Sequence, residues 1–363
     1  MPTARDADSL CTAIQLARQL GCTLVALCSR SSLHSAVAGR AAAAGVELIA
    51  IDLNNPPAGL MPRFETTELV AGRPFEQKTD TSLKRNVGLL LACLIGWKRI
   101  VFLDDDIAVP RPGDLERTVG LLDSYHAVGM SNIGYPDNSV VCHAYRESGG
   151  PQDTFIGGGG LAVGRPAMRS SFFPNIYNED WFFLLGNAQL RPTAVAGRVE
   201  QRPYDPFVNK RARAQELGDC LGEGVFWLLD DGRTVEHATV QYWQGFLGKR
   251  IRFITETIER VALLDDRAPA ERDRIISALK AARGRSRLIT PELCVEYLAA
   301  WRTDRVRWQR HVADLSGRLV DGYPVPRRPG RERFSDPGKL LAELGLADRT
   351  IIGGLGVEAG PAA

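Results

Sequence analysis

The first hundred residues alternate between segments with helical spacing of apolar residues and short apolar runs typical of buried strands. In chain order these segments are 8–20, 22–28, 33–44, 46–51, 82–95 and 99–103. Alternation of this kind predicts an α/β fold with a mostly parallel sheet and helices on both faces. Because Pro2-Thr3 reads like the exit of a strand, we expect a very short first strand or a chain start inside the ancestral gene.

The second half of the chain is increasingly helical. Residues 128–163 indicate short strands and glycine turns, and helices are then predicted at 165–173, 180–189, 209–229, 241–264, 269–284 and 290–315. Residues 330–337 indicate a charged linker, and the Gly- and Ala-rich end predicts a mobile tail. We therefore divide the chain into an α/β domain at 1–240, a helical region at 241–350 and a flexible tail at 351–363.

Composition excludes several classes of protein. The chain has 363 residues, 45 Lys and Arg against 43 Asp and Glu, and 44% hydrophobic residues. This balance argues against a dedicated nucleic-acid binder and against wholesale disorder. The longest apolar run, 87–97, is too short to span a bilayer, and no signal peptide is predicted. Seven widely separated cysteines without a Cys-x-x-Cys pair indicate mostly buried thiols in a reducing cytoplasm, and a homo-oligomer is left open.

Three consecutive aspartates, Asp104, Asp105 and Asp106, follow the strand-like run 99–103. A buried parallel strand delivers its last residues to the edge of the sheet where ligands bind. If strand geometry persists, Asp104 and Asp106 point one way and Asp105 the other. Two carboxylates on one side repel each other unless a cation joins them, and Mg²⁺ or Mn²⁺ commonly bridges such carboxylates to substrate phosphates. The alternative is a solvated acidic turn without a ligand.

The Asp-x-Asp after an apolar strand, together with the segment from Lys78 to Asn86, resembles the nucleotide-sugar site of GT-A glycosyltransferases of the family 2 type. The resemblance covers about residues 1–240 and implies a GT-A, Rossmann-like catalytic domain that binds a UDP- or GDP-linked sugar. It places Asp104 and Asp105 at the nucleotide and Asp104 and Asp106 at the Mn²⁺ or Mg²⁺. It also implies a nucleotide-side set comprising Thr3, Arg5, Asp52, Lys84 and Arg85.

Three further features fit the same resemblance. The run Gly157 to Gly160 includes Gly158 and Gly159, which would border the donor sugar and acceptor, although a flexible turn is the alternative. The pair Glu179-Asp180 would contact the acceptor, with Asp180 preferred as general base, yet acids also belong in the first turn of a helix. His237 would be a further metal ligand, or a merely structural histidine.

Other functions remain open at this point. Reversibly glycosylated polypeptides, which interconvert pyranose and furanose nucleotide sugars, have a similar aspartate triplet, and Arg146-Glu147 loosely resembles their Arg-Glu-Gly segment. A haloacid dehalogenase-type phosphatase with Asp104 as nucleophile is more remote, because Ala108 departs from its motif. A fourth alternative is a non-catalytic partner protein that associates through the aromatic residues of the helical region. The leading expectation is transfer of a sugar to a small-molecule acceptor.

Overall fold

The computed structural model describes residues 1–136, 138–151, 156–318 and 337–354. These residues form nine strands: β1 (Pro2–Thr3), β2 (Leu24–Cys28), β3 (Leu48–Asp52), β4 (Arg99–Leu103), β5 (Ile107–Ala108), β6 (Ala127–Asn132), β7 (Gly160–Gly164), β8 (Thr193–Gln201) and β9 (Thr350–Gly353). The helices of the first half are α1 (Cys11–Leu20), α2 (His34–Ala43), α3 (Glu65–Val70), α4 (Thr81–Ile95), α5 (Pro112–Gly120), α6 (Val140–Glu147), α7 (Arg165–Ser170) and α8 (Glu179–Leu184). Those of the second half are α9 (Asn209–Asp230), α10 (Val240–Ala262), α11 (Pro269–Ser286), α12 (Pro291–Arg318) and α13 (Pro337–Glu343).

The strands form two mixed sheets. The first has the order β1-β2-β3-β9, with β1, β2 and β3 parallel and β9 antiparallel to β3. The second has the order β4-β7-β6-β8-β5, in which only β6 and β8 run parallel. The prediction of an α/β fold is therefore confirmed, but the prediction of a mostly parallel sheet is wrong. The reason is that β7 returns between β4 and β6 and pairs antiparallel with both.

The helical region packs against the α/β part through a shared core. Trp243, Trp301 and Trp308 are fully buried in the same apolar cluster as Leu90 of α4 and Phe173. A buried carboxylate reinforces this packing: Asp304 of α12 accepts hydrogen bonds from two backbone amides in the first turn of α3, at 2.7 and 2.8 Å. Aromatic side chains buried in this way offer no surface to a partner, which removes the sequence argument for the partner-protein alternative.

The prediction of a flexible tail is wrong for residues 351–353. These residues lie in β9, where Ile351 and Ile352 pair with Ala50 and Ile49 of the central strand β3. Ladder hydrogen bonds and a neighbouring strand order a segment whose composition predicts mobility. The rest of the expected tail from 355 onward, and the charged linker at 330–336, lie outside the described residues.

Two other elements depart from expectation. Residues 140–147, predicted as part of a strand-and-turn region, form α6, whose first turn is capped when Ser139 Oγ accepts from Cys142 N at 3.3 Å. Strand β8 was not predicted. Five cysteines are buried as expected, namely Cys28, Cys93, Cys142, Cys220 and Cys294. None of the helices in the described part of the chain has both the length and the hydrophobicity that a membrane span requires.

Candidate active site

The three aspartates that follow β4 divide between two environments. Asp104 and Asp106 line a cavity of about 1280 Å³. Asp105 turns away from the cavity and accepts hydrogen bonds from Thr3 Oγ1 at 3.0 Å and from Ala4 N at 3.3 Å. The strand geometry behind the predicted alternation does not persist, because β4 ends at Leu103 and Ile107 N donates to Asp104 O at 3.2 Å, which closes a turn. Arg5 contacts both Asp105 and Asp106. Asp105 joins the triplet to β1 of the first sheet, and Asp104 and Asp106 face one cavity.

The glycine run lies directly beside the triplet. Asp104 N donates to Gly159 O at 3.1 Å, which continues the ladder in which Leu103 pairs with Gly160. A Cβ atom on Gly158 would overlap the guanidinium of Arg85, and one on Gly159 would lie 3.4 Å from Asp104 Oδ2. Gly158 is therefore required because a charged side chain of the site already occupies the space, whereas a Cβ on Gly159 would be limited mainly by Ile107 Cγ1 at 3.2 Å.

Arg85 of α4 is the centre of the charged cluster. It is 3% exposed, and its Nη2 donates to the two carboxylate oxygens of Asp104 at 3.1 and 2.9 Å. Its Nη1 forms an ion pair with Glu179, and its Nε has no hydrogen-bond partner among the described residues. Arg85 thus holds two cavity carboxylates in fixed positions, and this is a different role from the open diphosphate contact expected from the sequence.

Glu179 and Asp180 begin α8 and both line the cavity. Asp180 Oδ2 accepts from Gly158 N at 2.6 Å, and Oδ1 accepts from Trp181 N at 2.9 Å. Burial raises the pKa of both carboxyl groups, that of Glu179 to about 8, although the Arg85 guanidinium acts in the opposite direction. A carboxyl group whose pKa is raised toward neutrality is suited to proton transfer near neutral pH.

Asp104 and Asp106 have the chemistry of a partial cation site. Burial and the nearby charge of Asp104 raise the pKa of Asp106, while its contact with Arg5 at 3.1 Å lowers it. In the ranges that the structure describes, no group of three or more His, Cys, Asp or Glu side chains is arranged to hold a metal ion. Mg²⁺ is often bound by only one or two carboxylates, with substrate phosphates and water completing its coordination. Two hard oxygen donors in one cavity therefore fit a cation that binds together with a phosphate-bearing substrate.

Lys84 precedes Arg85 but serves the fold. It is 1% exposed, and its Nζ donates to Thr3 O at 2.7 Å and to Ser29 Oγ at 2.6 Å. Burial lowers the pKa of this ammonium group, and Asp80, with an oxygen 3.2 Å from Nζ, opposes that effect. Lys84 does not line the cavity, so the expected contact with a diphosphate is not available to it in this arrangement.

The residues expected at the nucleoside lie near the triplet but outside the cavity lining. Thr3 and Arg5 bind Asp105, and Arg5 also contacts Asp106. Strand register places Thr3 beside Cys28 and Cys28 beside Asp52, so all three end at one sheet edge. Asp52 Oδ1 accepts from Asn54 N at 2.9 Å. The structure gathers these residues at the predicted edge without directing them into the cavity.

His237 and Arg146 are not brought to the site. His237 is exposed in a short 3-10 turn, where its Nδ1 accepts from Thr234 N at 3.2 Å. This contact is half of a capping box, which is a structural use of the ring. Arg146 is an exposed residue near the end of α6. Neither residue lines the cavity that holds Asp104 and Asp106.

A second charged cluster, not predicted from the sequence, forms another part of the cavity wall. Arg250 of α10 is 2% exposed and contacts three carboxylates of α9: Glu216 at 3.0 Å, Asp219 at 2.8 Å and Glu223 at 2.7 Å. The three acids lie three and four residues apart and so share one face of the helix. That spacing was the available signal, but only the fold shows that this face is buried against α10.

Asn178 links the two clusters. It adopts a left-handed conformation with φ of 62°, and its Nδ2 donates to Asp219 Oδ1 at 3.2 Å. The next residue is Glu179, which pairs with Arg85. A continuous polar path therefore runs along the wall from Asp104 to Arg250.

Comparison with known proteins adds no relatives to this description. No protein-family model matches the chain, and a search of curated proteins finds no significant match.

Proposed function

We propose that the protein is a glycosyltransferase with a GT-A fold that transfers a sugar from a nucleotide-diphosphate sugar to a small-molecule acceptor. The observation that carries the proposal is the entry of Asp104 and Asp106 into one cavity that also contains Gly158, Gly159 and the Glu179-Asp180 pair. The cavity exceeds the volume that most small-molecule sites offer, which leaves space for a nucleotide sugar and an acceptor together.

Asp104 and Asp106 would hold Mn²⁺ or Mg²⁺ in this proposal. The bound cation would stabilise the negative charge that develops on the leaving diphosphate. Arg85 acts as a positioning residue, because its two contacts with Asp104 and its ion pair with Glu179 fix both carboxylates before substrate binds. Preorganised charges of this kind need little rearrangement during the reaction.

The Glu179-Asp180 pair supplies the candidate general base. Asp180 remains our choice, because two backbone amides hold its carboxylate while leaving lone pairs free to accept a proton from an acceptor hydroxyl. Glu179 is tied to Arg85, which suits it to positioning the guanidinium. The base would have to lie within hydrogen-bond reach of the reacting hydroxyl.

Neither alternative reaction gains an observation of its own. Arg146, the residue that a mutase would use, is exposed and outside the cavity lining. Asp104, the nucleophile that a phosphatase would use, is hydrogen-bonded to Arg85 through both carboxylate oxygens, and these contacts do not favour a nucleophile over a cation ligand.

The first experiment is a thermal-shift screen of UDP, GDP and dTDP, and of their sugar conjugates, each with and without Mn²⁺. A ligand at 100 times its dissociation constant stabilises the folded state by about 2.7 kcal/mol, which such a screen detects. We expect a shift with one nucleotide that requires the metal. Incubation of that donor alone then separates transfer from mutase activity, since only a mutase isomerises the sugar. Absence of any shift would contradict both activities.

A further inference from the structure

The cavity has more negative than positive side chains. Ten carboxylates and six cationic groups line it. A divalent cation and a nucleotide-diphosphate sugar, with about two negative charges on its diphosphate, nearly cancel each other. Occupation of the Asp104–Asp106 end would therefore leave the surplus of carboxyl groups over cationic groups in place. A second ligand in this cavity would encounter a negative environment.

The second cluster, of which Asp219, Glu223 and Arg250 line the cavity, contributes to this excess. Arg250 carries one positive charge against the three carboxylates of Glu216, Asp219 and Glu223. Of these acids, Glu223 has the most accessible side chain, at 28%, and it lines the cavity together with Asp219. Burial and neighbouring carboxylates raise the pKa of Asp219 to about 6, and Arg250 acts in the opposite direction. An added cation would relieve this repulsion.

A separate observation indicates a ligand at the same place. Asn138 lines the cavity and is 7% exposed, yet its Nδ2 has no hydrogen-bond partner in the described part of the chain. The next residue, Ser139, hydrogen-bonds to Asp219, and Val140 N donates to Gln215 of α9. Buried amide groups are nearly always hydrogen-bonded, so an unpartnered donor beside a cavity needs an acceptor atom from elsewhere. A hydroxyl oxygen of a ligand would satisfy it.

We propose that Asn138, Asp219 and Glu223 form the acceptor subsite, and that the acceptor is a hydroxylated molecule bearing an ammonium group, such as an amino sugar. The ammonium would bind between the carboxylates of Asp219 and Glu223, and a hydroxyl would accept from Asn138 Nδ2. Asn178 connects Asp219 to the Glu179-Asp180 pair, so an acceptor held here lies next to the candidate base. The role of this ligand as a sugar acceptor rests on the proposed glycosyltransferase function. The binding of an ammonium compound at this site does not depend on that function.

The test is direct titration of nucleotide-free protein with glucosamine and with glucose, which differ only in the ammonium group. We expect glucosamine to bind and glucose to bind at least about tenfold more weakly, because hydrogen bonds to charged groups contribute that much. Glu223→Gln should weaken glucosamine binding by a similar factor. Glu259→Gln, the same change on the exposed face of α10 and outside the cavity, should leave binding unchanged.

Asn138→Leu is the second variant, since it removes an unpartnered amide and keeps the branched shape of the side chain. It should keep the thermal stability of the protein and weaken glucosamine binding about twofold to tenfold. Equal binding of glucose and glucosamine, no binding of glucosamine, or binding insensitive to both Glu223→Gln and Asn138→Leu would overturn the subsite. These titrations contain no nucleotide, so their outcome is separate from that of the donor screen.

Discussion

Replacement of Arg85 by methionine tests the central electrostatic feature of the site. The guanidinium is 3% exposed and faces Asp104 and Glu179, with Asp180 close enough to affect its ionisation. Removal of one member of a buried ion pair leaves an uncompensated charge and costs about 3–5 kcal/mol. Against a typical unfolding free energy of 5–15 kcal/mol, we expect Arg85→Met to remain folded but to be clearly destabilised.

The loss of unfolding free energy in Arg85→Met should depend on pH. The pKa of Glu179 is raised in the folded protein above its usual value, and removal of Arg85 takes away an interaction that lowers it. A carboxyl group with a raised folded-state pKa favours the folded state at low pH, and this contribution is lost as pH rises through that pKa. Glu179 is protonated in both folded proteins at lower pH, so the deficit of Arg85→Met relative to the original protein should grow between pH 7 and pH 9.

Urea unfolding followed by tryptophan fluorescence at both pH values measures this deficit. Arg99→Met is the matched control, because Arg99 forms an ion pair with Asp123 in which both side chains are exposed. Exposed pairs contribute about 0–1 kcal/mol, so the control should lose little. A loss for Arg85→Met no larger than that of Arg99→Met, or an equal loss at pH 7 and pH 9, would contradict this prediction.

Three other substitutions test separate parts of the account. Asp106→Asn should abolish transfer and the metal-dependent stabilisation by nucleotide while leaving the melting temperature of the free protein nearly unchanged; activity at the original level would remove the cation hypothesis. Gly158→Ala should destabilise the protein by about 1–3 kcal/mol in urea unfolding, because a Cβ atom would overlap a buried guanidinium, whereas Gly113→Ala, with open space around it, should not. His237→Ala should leave Mn²⁺ titrations unchanged and lower the melting temperature only slightly, through loss of the capping contact with Thr234; weakened Mn²⁺ binding would restore it as a metal ligand.

The α/β class and the main elements of the first half were predictable, because their apolar periodicity is a local property. Strand β4 has the predicted bounds, and α4 differs from its prediction by one residue. Pairing partners are not local. The antiparallel return of β7 between β4 and β6, and the pairing of β9 with β3, depend on contacts between segments far apart in the chain.

The candidate site was also predictable only in part, because some of its contacts join distant segments of the chain. The apolar run before the aspartates predicted that they follow a strand, but not the turn that brings Asp104 and Asp106 to one cavity. The sequence could not distinguish two adjacent cations at the start of α4, of which Lys84 supports β1 and Arg85 holds the cavity carboxylates. It also could not place Arg250 beside Asp219, since these residues meet only through the packing of α10 on α9.

Isothermal titration of Mn²⁺, with and without the nucleotide diphosphate found in the screen, measures whether the cation and the nucleotide bind together at Asp104 and Asp106. In the proposed site Asp104 and Asp106 would give a cation two carboxylates, and no larger ligand group occurs among the described residues, so diphosphate oxygens and water would complete its coordination. We predict weak binding of Mn²⁺ to the protein alone and an affinity at least about tenfold higher with the nucleotide, with reciprocal tightening of the nucleotide by Mn²⁺. Equal Mn²⁺ affinity in the presence and absence of every nucleotide diphosphate would contradict the account.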